Sequence, residues 1–113
     1  MNYHAHIYWR NELEKQVALD IRSRLVEIGC RVGRVHDTSV GPHPLPMFQA
    51  MYDSLGQYMV ESLLTSSHGN LSVLLHEDIN DDVRDHTEGA RWLGEPLQLD
   101  LVWLENYTNN RGT

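Results

Sequence analysis

Sulfur able to cross-link is nearly missing, since the chain of 113 residues has one cysteine, Cys30. No internal disulfide and no Cys-x-x-Cys pair can form, which excludes a stapled secreted scaffold and fits a reducing cytoplasm. Positive charge is scarce too: Lys15 is the sole lysine, and 9 basic residues against 16 acidic give a formal net charge of −7 and a pI near 5.3. The arginines are scattered, so the basic footprint that a phosphate backbone demands is lacking and nucleic acid is not an expected partner. No apolar run approaches the ~20 residues that span a bilayer, and the N-terminal residues lack the basic and apolar stretches of a signal peptide. A cytoplasmic protein with no membrane partner is expected. The length excludes two enzymatic domains, because domains cluster at about 100–150 residues.

What the chain does have is histidine, at positions 4, 6, 36, 43, 68, 76 and 86. The commonest metal ligand, and the side chain that titrates nearest neutrality, is thus over-supplied in a lysine-poor chain.

Residues 2–10 read as a strand whose alternation puts His4, His6 and Tyr8 on one face and Tyr3, Ala5 and Ile7 on the other. Asn11 with Glu14 forms a variant capping box, and Leu13, Val17, Ile21, Leu25 and Ile28 recur at helical spacing up to Gly29. Residues 31–37 read as a short strand, Gly41-Pro42-His43-Pro44-Leu45-Pro46 as a rigid loop, and residues 47–52 as a further strand. Ser54 with Gln57 caps a second helix whose stripe is Leu55, Tyr58, Met59 and Leu63. In residues 71–76, Leu71, Val73 and Leu75 face one way and Ser72, Leu74 and His76 the other. An acidic run over residues 77–88 leads to a short helix at Ala90, Trp92 and Leu93, stopped by Gly94 and Pro96, and residues 97–104 read as a last strand.

This order predicts an α+β fold over residues 1–105, with residues 106–113 a frayed tail. It is the ferredoxin-like β-α-β-β-α-β antiparallel sheet with an added short helix and C-terminal strand. Both helices cover one sheet face. The other is left open, which predicts a homodimer.

His4 and His6, two apart on a strand, can share one metal ion. As a pair they equally suit a solvated or interface position. In the expected sheet, however, the first and last core strands are antiparallel neighbours, which sets His76 beside His4. The loop carrying His43 approaches the Tyr8 end. His4, His6 and His76 are therefore the candidate metal ligands, and His43 can replace one of them. His43 between prolines is otherwise a turn residue, and His86 in the acidic run a helix start. A carboxylate, Glu77 or Asp78, can instead complete a two-histidine, one-carboxylate site of the kind that suits non-haem iron. His36 and His68 are read as structural, and Trp92 as a core anchor.

Together Tyr3-His4-Ala5-His6-Ile7-Tyr8-Trp9, Gly41-Pro42-His43-Pro44, Leu71-Ser72-Val73-Leu74-Leu75-His76 and the stretch from Asp85-His86-Thr87 to Trp92-Leu93-Gly94 resemble the DOPA 4,5-dioxygenase family. The resemblance implies extradiol cleavage of a catechol by Fe(II) and dioxygen in a small ferredoxin-like domain that dimerises, with Zn²⁺ a possible substitute in a purified sample. It makes His86, and then His43, the candidate acid/base catalysts, and Tyr8 and Arg91 the candidate substrate-binding residues. The family's proline after the histidine matching His76 is replaced here by Glu77. The competing readings are a non-enzymatic ferredoxin-like dimer that binds a metal or an aromatic ligand, and a metal-free isomerase.

Overall fold

A computed structural model describes residues 1–79 and 81–111. Alternation builds β1 (Asn2–Tyr8), the middle strand of the sheet, with Ala5 and Ile7 buried on one face and His6 and Tyr8 on the other. α1 (Glu12–Glu27) starts where the capping residues predict, with the Asn11 side-chain oxygen accepting the Glu14 backbone N–H at 2.9 Å. The return bond differs from a standard capping box: Glu14 accepts from the N–H of Arg10 at 3.0 Å. β2 is only Arg31–Val32, because the register against β3 (Met47–Asp53) slips by one residue before His36 forms an isolated bridge to Met47. One extra residue in a strand interrupts its ladder.

α2 (Gln57–Ser67) and β4 (Val73–Glu77) complete the expected core, which α3 (Asp82–Asp85), β5 (Ala90–Leu93) and α4 (Leu101–Arg111) extend. The strands pair antiparallel in the order β2-β3-β1-β4-β5, a ferredoxin-like sheet with a helix and a strand appended. On the helical face Ala18, Ile21 and Leu25 of α1 and Val60 and Leu64 of α2 pack on Ala5, Ile7, Phe48, Ala50, Val73 and Leu75.

Several sequence expectations are corrected here. The appended strand is residues 90–93, read above as a helix; residues 97–104 are a loop followed by the first turn of α4. Asp100 decides this, since its carboxylate accepts the Trp103 N–H at 3.0 Å and its carbonyl accepts from Leu104, which starts a helix. Residues 106–111 continue α4, and Gly112 and Thr113 lie outside the described residues. Both helix stripes are rotated from their predicted positions. Leu13 and Leu55 are 79% and 95% exposed; Ile21 and Leu25 are buried as expected, joined by Ala18 in α1 and by Val60 and Leu64 in α2. Ser54 does not cap α2, whose first turn follows an Asp53 carboxylate that accepts the Gly56 N–H.

The second sheet face is not open. Val40, Leu45, Leu97 and Leu99 fold over Tyr8, Met47 and Leu74, so the chain covers much of that face itself. Gly94 makes the turn out of β5 at φ 73°, where a Cβ would collide with the Leu71 carbonyl. Among the described residues no helix is long and apolar enough to cross a membrane.

Candidate functional site

Strand parity and register assemble the site. His4 and His6 leave β1 on the face away from the helices, and β4 pairs antiparallel with β1 so that His76 stands directly opposite His4. The proline-bounded loop, pinned by a Val40–His43 bridge, lays His43 over the same face. His86 follows α3 immediately and reaches in from the side. Ring centroids of His6 lie 4.4 Å from His43, 5.2 Å from His76 and 5.6 Å from His86, while His4 lies 5.3 Å from His76. Two sets of three, His4-His6-His76 and His6-His43-His86, each offer ligand nitrogens within 4.8 Å of one another, and His6 belongs to both.

The hydrogen bonds fix how these rings present their nitrogens. His76 Nδ1 lies 3.0 Å from the Glu77 carbonyl, which can only accept, so Nδ1 carries the proton and Nε2 is left as an acceptor. His6 Nε2 sits 3.0 Å from that Nε2 and must donate to it. That leaves His6 Nδ1 with a lone pair, and this buried atom has no hydrogen-bond partner. His43 Nδ1 is 2.7 Å from the Tyr8 hydroxyl. An imidazole anchored by one nitrogen and aimed by the other is the usual form of a metal-bound histidine.

Electrostatics keep the rings neutral. Burial, then the neighbouring imidazoles, pushes His43 down to about 3. Burial is also the main cause that lowers His76 to about 4, partly offset by the Glu77 carbonyl. His6 is driven well below its ordinary range, chiefly by burial, and His4 is lowered by burial against the opposing pull of Asp78, whose carboxylate lies 3.6 Å from its Nε2. The donor set therefore fits a metal ion: neutral imidazoles with available lone pairs, one of them buried and unpartnered, which suits iron, zinc, copper or nickel.

A groove of about 600 Å³ touches the cluster at His86 and has Trp92, Leu97, Leu99 and Leu101 among its walls. Trp92 is stacked on Tyr8 with centroids 6.0 Å apart, so the groove meets the cluster through both His86 and the Trp92–Tyr8–His43 chain. A second cleft, of about 370 Å³ near Tyr3, Cys30 and Val60, lies mainly on the helical side and meets the cluster at His4.

The sequence model of the Dopa 4,5-dioxygenase family matches residues 3–103, nearly all of this framework. The chain belongs to the Dopa 4,5-dioxygenase family. It is 33% identical over 111 residues to the DOPA 4,5-dioxygenase of Amanita muscaria, covering 90% of this chain and 49% of that protein. An uncharacterized 21.2-kDa protein of Botryotinia fuckeliana is 30% identical over 112 residues, covering 87% of this chain and 59% of its own length. The chain thus spans about half the length of these fungal relatives. A crystal structure from Nostoc punctiforme, of a protein provisionally assigned as a dioxygenase, superimposes with a TM-score of 0.89 at 30% identity and covers 94% of this chain and 92% of that one.

Within this member of the Dopa 4,5-dioxygenase family, the structure brings five of the seven sequence candidates together, sets Tyr8 beneath them and separates Arg91. His4, His6, His43, His76 and His86 converge. Arg91 does not reach them: on β5 it stands opposite Leu75, on the helical face, and its guanidinium bonds both Glu61 oxygens at 2.9 Å. Tyr8 is wholly buried beneath Trp92, so it supports His43 rather than meeting a substrate. Glu77 pairs with Tyr3, which also turns it away from the cluster, whereas Asp78 is beside His4. Sequence reasoning missed two residues. Trp92, opposite Leu74, packs on the Tyr8 cluster as a core anchor does and is also a wall of the groove, and Asp85, read as part of a solvated acidic face, is buried and accepts the Ile79 N–H at 3.3 Å. Strand parity could have placed Trp92 had residues 90–93 been read as a strand; no sequence signal distinguishes Asp85 from its acidic neighbours.

Proposed function

We propose that the chain is a non-haem iron dioxygenase that opens a catechol ring by extradiol cleavage. The observation that carries the reading is the convergence of five imidazoles, in two sets of three sharing His6, at the end of an apolar groove in a member of this family. His4, His6 and His76 would hold Fe(II), with His43 the alternative donor. A ferrous ion bound there supplies the one-electron chemistry that lets dioxygen react with a catecholate, which side chains alone cannot provide. In the overall reaction the ring bond next to one hydroxyl-bearing carbon breaks and both atoms of dioxygen enter the product. The catechol supplies the electrons, and no outside reductant is consumed.

The chain's own groups supply position and protons. His86, facing the groove, accepts a proton from a catechol hydroxyl and returns one to the product oxygen. His43 is the second candidate for proton transfer, yet with burial holding it near 3 it stays neutral and suits a lone-pair donor better. The Tyr8 hydroxyl, pushed above its ordinary range by burial, stays protonated and holds the His43 ring in place. Leu97 and Leu99 exclude water from the inner groove. A homodimer remains part of the proposal, now on the exposed apolar side chains of Leu55, Tyr58 and Met59 rather than on an open sheet face. Sedimentation equilibrium checks it.

The test loads the protein anaerobically with Fe(II), then adds air-saturated buffer and a panel of catechols. The expected result is oxygen uptake equal to catechol consumed, with the visible absorbance of a ring-opened semialdehyde. Stoichiometric metal binding with no oxygen uptake across the panel would leave the binding-module reading in its place.

A further inference from the structure

The groove that reaches His86 has a charge pattern of its own. Among the described residues its lining is His86, Thr87, Trp92, Gln98, Asp100, Val102 and the leucines at 97, 99 and 101, with no lysine or arginine. Asp100 is the only carboxylate among them. Arg91, the cationic candidate for substrate binding, is tied to Glu61 on the opposite face of the sheet. The net charge of −7 has the same sign.

Resting on the catechol-cleaving reading above, we propose that the groove selects catechols whose ring substituent is neutral or cationic and disfavours those that carry a carboxylate. With its hydroxyls directed at the imidazole cluster, a catechol lays its ring against Trp92 and its substituent along the leucines toward Asp100. A substituent carboxylate there would be desolvated without a cationic partner and would face a like charge. An ammonium group would meet an opposite one. Asp100 is thus a specificity-determining residue, acting through charge. Its other task is to cap α4 by accepting the Trp103 N–H, and asparagine can do the same without charge.

The experiment compares dopamine, 4-methylcatechol, L-DOPA and 3,4-dihydroxyphenylacetate in two readouts. One is kcat/KM of the iron-loaded protein; the other is Kd from quenching of tryptophan emission in the metal-free protein. Dopamine and 4-methylcatechol are expected to lead, L-DOPA to follow, and the acetate to trail dopamine by about tenfold at low salt, the effect of moving from attraction to repulsion by one charge some 6 Å away in a water-like medium. The gap should narrow as salt screens it. Asp100→Asn should shrink the dopamine-to-acetate ratio about tenfold, about threefold from each substrate, with 4-methylcatechol unchanged. Equal or better handling of the carboxylated catechols, or a ratio untouched in Asp100→Asn, overturns the inference. So does a preference for the acetate that disappears in Arg31→Ala, because Arg31 lines the other cleft. If no catechol is cleaved, the dioxygenase reading fails, while the Kd order in the metal-free protein still decides the selectivity.

Discussion

Lowering the pH should destabilise the metal-free protein through its buried imidazoles. An imidazole titrates at about 6.5 when solvated. In the folded chain His76 is held to about 4 and His43 to about 3, because burial disfavours the charged ring. Between the unfolded and folded values the unfolded chain binds more protons, so stability rises with pH across that window. The contribution is fully present above the unfolded value and is lost progressively as pH falls toward 4 and then 3. At pH 5 each of the two rings has forfeited about 2 kcal/mol relative to pH 8, and His6, shifted the same way, adds to the loss. Relief of the −7 net charge on acidification acts in the opposite direction, so a fall in stability is diagnostic.

The assay is urea unfolding of chelator-treated protein at pH 8, 7, 6 and 5. With a slope of roughly 1–3 kcal/mol per molar urea, the midpoint should drop by about 1–4 M over that range. His43→Gln and His76→Gln should each flatten the pH dependence by about 2 kcal/mol. A midpoint constant from pH 8 to 5 would refute the reasoning, since it would mean that the rings titrate in the fold as they do in water.

His6 is common to both sets of three, so His6→Ala should abolish stoichiometric metal binding, read by calorimetry, whereas His4→Ala and His43→Ala should affect it unequally and show which set binds. Gly94→Ala should lower stability by more than the about 1–2 kcal/mol expected of a left-handed residue alone, because its Cβ meets the Leu71 carbonyl; Gly29→Ala, at φ 85° with nothing nearby, should show only the smaller loss in the same denaturation assay. Arg91→Ala should change kcat/KM less than twofold and stability by under about 1 kcal/mol, since the residue makes a half-exposed ion pair away from the site.

The parts of the fold that the chain announces locally are those where one residue's neighbours decide its place. Alternation in residues 2–8 and 71–76 assigned faces that the structure bears out, and from the adjacency of the first and last core strands the His4, His6 and His76 set could be assembled. Helix rotation was less legible, because a buried alanine such as Ala18 gives no hydrophobic signal while exposed Leu13 and Leu55 give a strong one. Residues 90–93 become a strand because β4, with residues 73–76 all buried, has an edge to satisfy, which is a property of the sheet rather than of Ala90-Arg91-Trp92-Leu93. Leu97, Leu99 and Leu101 alternate as a strand does, but two of them cover Tyr8 and Leu74 from a loop. Misreading that edge strand also hid that Arg91 faces the helices and Trp92 the imidazole side.

β1 writes two messages in one seven-residue line: odd positions spell the core and even positions the imidazole cluster and its tyrosine support. A message written by parity has an unusual tolerance to editing. Substitution can alter one letter at a time, but inserting or deleting a single residue between His4 and Tyr8 transposes the two texts, sending imidazoles into the leucine core and Ala5 or Ile7 under the groove. An insertion of two residues preserves parity and costs register alone. Lineages derived from this chain should therefore vary freely in the length of the segments around residues 33–40 and 77–82 while holding β1 to a fixed length, whatever substrate the groove has come to accept.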